Sequence, residues 1–347
     1  MSKANCLAAT AVAMALFAYD FSNTALAQTK TTTHNKPIEG PALATPLSRS
    51  EVEAPAQDRG AGSAYGAFQR GYYLTALQLA LPRADAGDPA AQTLIAEIYW
   101  NGLGVARDRE RAVEWYRFAA DAGNAQAQFI LGNLLLNGDG VAKDAAAGEE
   151  LMKKAADQGH ARASFNLAQI ITGRRPTWAS FKRALPLYEK AAEAGIADAQ
   201  YALANIHAEA QGVPHNDDDL ARKWLARAAS NGLEAAQVEL GIWMANGRGG
   251  AKDEDGAGRW FAQAAAKGNV LAQNRLARMN AFGIGKVADP IRAGAWHVLA
   301  SRAGFSDPEM DRIFQSLSAI DKKRALEAAD QLSARMKTAK ATIRNRG

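Results

Sequence analysis

One glycine returns along this chain at an almost constant interval. The successive spacings are 36, 36, 36, 37, 36 and 36 residues, and the glycines are Gly87, Gly123, Gly159, Gly195, Gly232, Gly268 and Gly304. A fixed period of this length is typical of stacked supersecondary units, each of which buries its apolar face only against its neighbours. The period predicts one continuous repeat array over residues 65–304 and argues against a boundary between independent domains inside it.

The second period indicates what one unit is. Asp108 is suited to cap a helix whose apolar residues recur at i, i+3, i+4, i+7 and i+8, at Ala112, Trp115, Tyr116, Ala119 and Ala120. Gly123 can end that helix in the left-handed conformation, and Asn124 can cap a second one. Each unit is therefore predicted to be a helical hairpin, and the expected fold class is an all-α solenoid.

Other residue types keep a fixed position in each hairpin. A glutamine stands five residues after most of the glycines, at Gln92, Gln128, Gln200, Gln237 and Gln273, with Ser164 in its place once. A tryptophan stands eight residues before four of them, at Trp115, Trp224, Trp260 and Trp296. A small residue such as Gly132 or Gly241 lets two helices approach closely. Because the tryptophans recur at one phase, we predict that they belong to the core.

These residues resemble the Sel1-like repeats, which are relatives of the tetratricopeptide repeats. The second period carries the pattern as Ala112, Trp115, Tyr116, Ala119, Ala120, Gly123, Ala127, Gln128, Leu131, Gly132, Gly138, Gly140, Val141 and Asp144. The match covers about residues 65–304, with six complete units. It departs from the pattern at Thr172–Pro176, which replace the Gly-x-Gly-Val turn, and at residues 214–219, which carry one extra residue.

The resemblance implies a right-handed α/α superhelix that binds proteins or peptides and has no enzymatic site. Some exported relatives carry one disulfide per repeat and are associated with β-lactam binding, but this chain lacks those cysteines. A second resemblance, in architecture only, is to the periplasmic regulators of exopolysaccharide production, which restrain a membrane sensor kinase.

The N-terminus is typical of a secretory signal peptide. Lys3 precedes an apolar run from Leu7 to Ala18, and the small-residue site Ala25-Leu26-Ala27 follows. We expect residues 1–27 to be removed and the protein to be periplasmic, with secretion as the second choice. The single cysteine, Cys6, leaves with that segment, so the mature chain has neither a disulfide nor a thiolate site. Residues 28–64 are rich in Thr and Pro and are predicted to be a disordered linker.

After Gly304 the pattern changes. Asp307-Pro308 and Asp321 are predicted to begin two helices that cap the array within residues 305–347. The net charge of +5 lies entirely in residues 311–347, since residues 28–310 hold 31 basic and 31 acidic side chains. The body offers no basic groove for nucleic acid, so none is expected as a partner. The tail, with Arg335, Lys337, Lys340, Arg344 and Arg346, could contact a membrane peripherally.

Motifs for catalysis are not recognisable in the sequence. The paired glycines recur at one phase of a helical repeat, follow helices and lack a third glycine, so they indicate turns and not a nucleotide loop. No serine begins S-x-x-K or stands in G-x-S-x-G. His207, His215 and residues 217–219 could hold a metal only if the fold grouped them. We expect no catalytic residue, cofactor or metal.

The candidates for a partner contact are residues that break the pattern. Aromatics outside the tryptophan column are Trp100, Trp178 and Trp243, and His207 and Asn280 are polar residues in a column that holds Tyr99 and Leu135 in other repeats. Arg174, Arg175 and Trp178 lie together in the irregular turn, and interfaces use exposed aromatics and arginines as anchors. The alternative is that this turn has drifted without function.

The predicted function is that of an exported protein-interaction scaffold in envelope assembly or signalling. Two alternatives from other classes remain open at this point. One is an enzyme that acts on peptidoglycan or β-lactams, and the other is a periplasmic receptor for a glycan or small molecule.

Overall fold

A computed structural model describes residues 61–344, and in that range the chain is all helical, as predicted. The predicted signal peptide and residues 28–60 of the predicted linker lie outside the described residues. The helices are α1 (Ala61–Gln69), α2 (Tyr73–Asp85), α3 (Pro89–Asn101), α4 (Arg109–Asp121), α5 (Ala125–Asn137), α6 (Ala145–Asp157), α7 (Ala161–Arg174), α8 (Trp178–Glu193), α9 (Ala197–Ala208), α10 (Asp218–Ser230), α11 (Glu234–Asn246), α12 (Glu254–Lys267), α13 (Val270–Phe282), α14 (Pro290–Arg302), α15 (Pro308–Ser316) and α16 (Ala319–Arg344).

The chain divides into two compact units, with the division between Ile196 and Ala197. Helices α1–α8 form the first unit and α9–α16 the second. Within each unit consecutive helices up to α15 pack against each other, which is the connectivity of a solenoid of hairpins, and α16 packs on α14. We call the helices that end just before a repeated glycine A helices (α2, α4, α6, α8, α10, α12 and α14) and those that follow it B helices (α3, α5, α7, α9, α11 and α13).

The helix boundaries follow from local capping. Asp108 accepts a hydrogen bond from the backbone N–H of Arg111 at 2.9 Å, and Asn124 accepts one from Ala127 at 2.9 Å. Gly123 lies between the two helices with φ +89°, a conformation that glycine adopts without the cost a side chain would bring. The predicted caps and helix end of this hairpin are confirmed.

Small residues set the distance between paired helices, as expected. A Cβ built on Gly132 of α5 would lie 3.0 Å from the carbonyl oxygen of Gly148 in α6. A Cβ on Gly241 of α11 would lie 2.6 Å from the ring of Phe261 in α12. A side chain at Gly241 would therefore force a shift at this helix separation, and one at Gly132 would make a contact tighter than normal packing.

The four tryptophans at the repeated phase are partly buried. Each packs against a cluster of buried apolar residues in its own unit: Trp115, Trp224, Trp260 and Trp296. The prediction that these side chains are part of the core is confirmed, and they contribute to it from its edge.

The last two helices cover α14. Asp307 caps α15 as predicted. The predicted start of the next helix at Asp321 is wrong, because α16 begins at Ala319 and the Ser318 hydroxyl accepts the backbone N–H of Asp321 at 3.1 Å. Ala329 of α16 lies in one apolar cluster with Val298 and Leu299 of α14. Arg335 and Lys337 of the basic tail are exposed, and the side chains after residue 338 lie outside the description.

No helix between residues 61 and 344 is both long enough and apolar enough to cross a membrane.

Candidate interaction surface

The regular turns between hairpins are built on two glycines. The first has a positive φ at Gly102, Gly138, Gly247 and Gly283. In the turn after α9 the same position is occupied by Ala210, which has φ +54°. The second lies against the start of the A helix of its own hairpin. A Cβ on Gly104 would lie 3.2 Å from the Cβ of Tyr73, and one on Gly285 would lie 3.0 Å from the backbone of Glu254. These turns therefore cover the first residues of an A helix.

A repeated backbone hydrogen bond closes the same turns. The N–H of the capping aspartate donates to a carbonyl near the end of the preceding B helix, as from Asp108 to Tyr99 at 3.0 Å and from Asp217 to His207 at 2.8 Å. His207 is half-buried, and its main chain has this structural task in the second unit.

The turn between α7 and α8 departs from this design. Arg174 and Pro176 stand where the two glycines stand in other hairpins, so α7 extends to Arg174 and α8 begins early, at Trp178. The start of α6 is therefore not covered by a glycine turn. Residues 173–179 are exposed, and so are residues 144–146 at the start of α6. This is the uncovered surface that the irregular sequence creates.

Local hydrogen bonds hold the irregular turn in place. Thr177 caps α8 and accepts the backbone N–H of Ser180 at 3.2 Å, while the Ser180 hydroxyl accepts the N–H of Thr177 at 3.0 Å. This reciprocal pair is a capping box. The Ser180 hydroxyl also lies 2.6 Å from the carbonyl oxygen of Arg175, to which it can donate. The segment that displays Trp178 is thus held by hydrogen bonds between its own hydroxyl side chains and backbone.

The side chains of this turn are basic and aromatic. Trp178 is 50% exposed, and the Nζ of Lys182 lies 5.0 Å from the centre of its ring. Arg174 pairs with Glu149 of α6, whereas Arg175 and Lys182 are exposed. We name the set Arg174, Arg175, Trp178, Lys182 and Arg183 the basic aromatic surface.

Sequence reasoning missed Lys182 and Arg183. Both side chains are exposed on the first turns of α8. A signal for them was present, because residues 158–188 contain five Lys or Arg and no Asp or Glu. Net charge over the whole body conceals this local excess.

The expectation that Trp100 and Trp243 are exposed anchors is wrong. Trp100 is 9% exposed and Trp243 only 2%, and the guanidinium carbons of Arg109 and Arg248 lie 4.9 and 3.9 Å from their respective ring centres. Trp100 also lies under the next turn, since a Cβ on Gly140 would be 3.1 Å from its ring. Both tryptophans belong to the packing of a hairpin and not to a free surface.

The second unit holds a half-buried carboxylate. The hydroxyl of Tyr201 donates to Glu239 at 2.7 Å, and burial raises the pKa of both groups.

The same unit has an open cleft of about 200 Å³ between α12 and the turn after α13, next to Met279 and Ile284. Gly258 lines this cleft, at the position that Arg222 occupies one repeat earlier. Within the described residues no three His, Cys, Asp or Glu side chains are grouped as metal ligands.

Two solved structures are similar to this chain over most of its length. A Sel1 repeat protein from Oxalobacter formigenes is 29% identical, with a TM-score of 0.59, and the match covers 70% of this chain and 96% of that one. A protective antigen of uropathogenic Escherichia coli strains that displays an SLR fold is 26% identical, with a TM-score of 0.62. That match covers 79% of this chain and 62% of the antigen, so this chain spans less than two thirds of the antigen's length. No protein of curated function matches.

Six consecutive segments match the family described as the Sel1 repeat, at residues 89–124, 125–160, 161–196, 197–233, 234–269 and 270–305. Each segment contains one B helix and the A helix that follows it. The six matched segments equal in number the six complete repeats predicted from the glycine period. Because the matched segments make up more than half of the residues, the chain belongs to the Sel1 repeat family.

Proposed function

We propose that this protein is an exported interaction scaffold of the cell envelope, and that the basic aromatic surface contacts its protein partner. Sel1 repeat proteins are generally protein-interaction scaffolds, and this chain carries six such repeats. The observation that carries the proposal is the turn between α7 and α8, where a hydrogen-bonded segment displays a half-exposed Trp178. A rigid exposed aromatic loses little entropy on binding, which suits an anchor residue.

The role we propose is non-catalytic regulation or assembly. In the regular hairpins the turns are occupied by glycines and capping aspartates that serve the fold. The contact at the irregular turn offers affinity and charge but no nucleophile paired with a base. The proposed partner is a protein or peptide that reaches this turn, in signalling or in envelope assembly.

Chemical crosslinking in intact cells, followed by identification of the captured protein, tests this function. We expect the wild-type chain to capture a specific partner, and Trp178→Ala and Arg174→Ala to capture it poorly. Val287→Ala is a matched control, because Val287 is 90% exposed on a different turn. If both turn variants capture the partner as well as wild type does, the site assignment is wrong.

Export is proposed from the N-terminal residues, and it has its own test. Cell fractionation should place the mature protein in the periplasm, and its N-terminal residue should be Gln28. Recovery of a chain that begins at Met1 in the cytosol would overturn this part of the proposal.

A further inference from the structure

We propose that the basic aromatic surface binds an acidic, extended segment of the partner protein. This inference rests on the proposed function and specifies the chemistry of the partner at the same turn. Three observations carry it: the unbalanced charge of the turn, the partly exposed ring of Trp178, and the dimensions of the exposed stripe on α8.

The charge of this surface is not balanced within the protein. Arg174 is neutralised by Glu149, but Arg175, Lys182 and Arg183 form no ion pair with any residue that the structure describes. The nearest acidic residues in sequence are Asp157, at the end of α6, and Glu189, four residues before the end of α8. Three exposed cations without counter-charges favour a partner that supplies carboxylates, and they steer its approach.

Trp178 adds an apolar contact between these charges. Lys182 lies against the ring, and half of the side chain remains exposed to solvent. A proline or aromatic residue set between acidic residues of the partner can pack on the open part of the ring while its neighbours reach the cations. Burial of a tryptophan at the centre of an interface is a common source of affinity.

The exposed stripe has the length of a short extended peptide. Trp178, Lys182 and Pro186 are exposed at i, i+4 and i+8 of α8. With a rise of 1.5 Å per residue these positions span about 12 Å, which about four residues of extended chain also cover at roughly 3.3 Å each. The capping box fixes the start of this stripe, so the free protein already presents it in one arrangement.

The test uses a fluorescein-labelled peptide in which Glu-Glu flanks a central Pro-Tyr on both sides, and a matched peptide with Gln in place of Glu. Fluorescence anisotropy with the full mature chain should show binding of the Glu peptide only. That binding should weaken between about 50 and 300 mM salt, because solvent-exposed charges are screened. Equal binding of both peptides would overturn the proposal.

Variants locate the binding. The pair Lys182→Glu with Arg183→Glu should weaken binding at least about tenfold, and Trp178→Ala at least about fivefold. Arg335→Glu with Lys337→Glu makes the same change of charge on the exposed face of α16 and should leave binding unchanged. All these side chains are exposed, so the melting temperatures should stay at the wild-type value. Equal loss in the α16 variant would show a nonspecific charge effect and contradict the proposal.

Three outcomes separate this inference from others. If vesicles containing phosphatidylglycerol bind through Lys182 and Arg183 while the Glu peptide does not, the surface recognises a membrane and the proposal is wrong. If a partner crosslinks at the turn but its contacting segment is not acidic, this inference fails while the proposed function stands. If no partner contacts the turn, the proposed function itself fails.

Discussion

Two glycines in helices of the second unit face opposite environments, although both lie mid-helix. A Cβ on Gly241 would meet the buried ring of Phe261 at 2.6 Å, whereas one on Gly258 would meet only the flexible end of Met279, at 3.2 Å beside an open cleft. We predict that Gly241→Ala destabilises the protein by about 2 kcal/mol through overpacking. Gly258→Ala should stabilise it by about 0.5 to 1 kcal/mol, because alanine is the better helix former.

Urea denaturation followed by circular dichroism measures both changes. Because the substitution and the unit are the same, the two variants control for each other. A loss of stability in both would mean that Gly258 has less space than the cleft provides.

His160, which caps α7, makes the stability of the junction between α6 and α7 depend on pH. Its Nδ1 accepts the backbone N–H of Ala163 at 3.1 Å, which requires an unprotonated nitrogen, and its ring stacks on Phe129 at 4.5 Å. Burial, and then the charge of Arg162, lower the pKa of His160 below 6.5. The unfolded chain therefore binds this proton more readily than the folded one.

The His160 cap should make its full contribution to the free energy of unfolding above pH 6.5. This contribution should decline as the pH falls from there through the lowered pKa of His160. His160→Asn keeps a capping acceptor, as Asn124 and Asn269 do at the same position, and removes the titration. We expect wild type to lose stability relative to this variant between about pH 7.5 and 5.5, by no more than about 1 kcal/mol. Parallel pH profiles of the two proteins would contradict this role.

Side-chain amides join neighbouring hairpins. Gln128 donates to the carbonyl of Ala120 at 3.0 Å, and its own oxygen accepts from Gln158 of the next hairpin at 2.7 Å. One repeat earlier, Gln92 makes the equivalent bond to the carbonyl of Ala84 at 3.1 Å, but its buried Oε1 has no partner within the described residues. The residue equivalent to Gln158 is here the exposed Ala122.

We predict that Ala122→Gln supplies the missing donor and stabilises the first unit by about 1 kcal/mol. Gln158→Ala is the reciprocal change and should destabilise it by a similar amount, since it leaves the Oε1 of Gln128 unpaired. Thermal unfolding of the two variants measures both effects. A neutral Ala122→Gln would mean that the amides do not meet as they do one repeat later.

The end of the second unit is held by a nearly buried ion pair. Arg278 of α13 donates two hydrogen bonds to Asp307 at 2.7 and 2.8 Å, and Asn274 donates a third at 2.6 Å. Burial raises the pKa of Asp307, but the bonds from Arg278 and Asn274 outweigh it, so the pKa lies below 3.8. The ion pair makes its full contribution to the free energy of unfolding above pH 3.8, and this contribution is lost as the pH falls through the lowered pKa of Asp307.

We predict that Asp307→Ala costs about 3 kcal/mol, because it leaves Arg278 without its main partner in a confined site. Hydrogen exchange should show earlier opening of α15 and α16. Asp330→Ala breaks the exposed pair with Arg302 and should change stability by less than about 1 kcal/mol. Equal effects of the two variants would contradict the importance assigned to burial.

The repeated pattern makes most of the fold predictable from the sequence. Gly123, Asn124 and Asp108 each act through neighbours a few residues away, so a short window of sequence contains their reason. Asp321 does not begin α16, because the cap is the hydroxyl of Ser318, three residues earlier, and not an acidic side chain.

The candidate surface was predictable only in part. Trp178 and Arg174 were found because they break the repeat, but Trp243 breaks it only in residue type. The same repeat position holds Ile98 and Leu134 in other hairpins, and both are buried. Because the position is otherwise apolar in these hairpins, it predicts that Trp243 is buried as well. The pairing of Arg174 with Glu149 joins residues on different helices, and no local pattern contains it. Contacts across a hairpin need the fold.

Site-specific photocrosslinking in intact cells shows whether the turn between α7 and α8 contacts a partner protein. A photoreactive amino acid at the exposed Ala179, next to Trp178, should give a covalent adduct with one protein, and it should react with an acidic segment of that protein. The same residue at Val287, which is more exposed but lies on a regular turn, should give little or none. An adduct at position 287 with none at position 179 would contradict the claim that the turn between α7 and α8 is where this Sel1 repeat protein meets its partner.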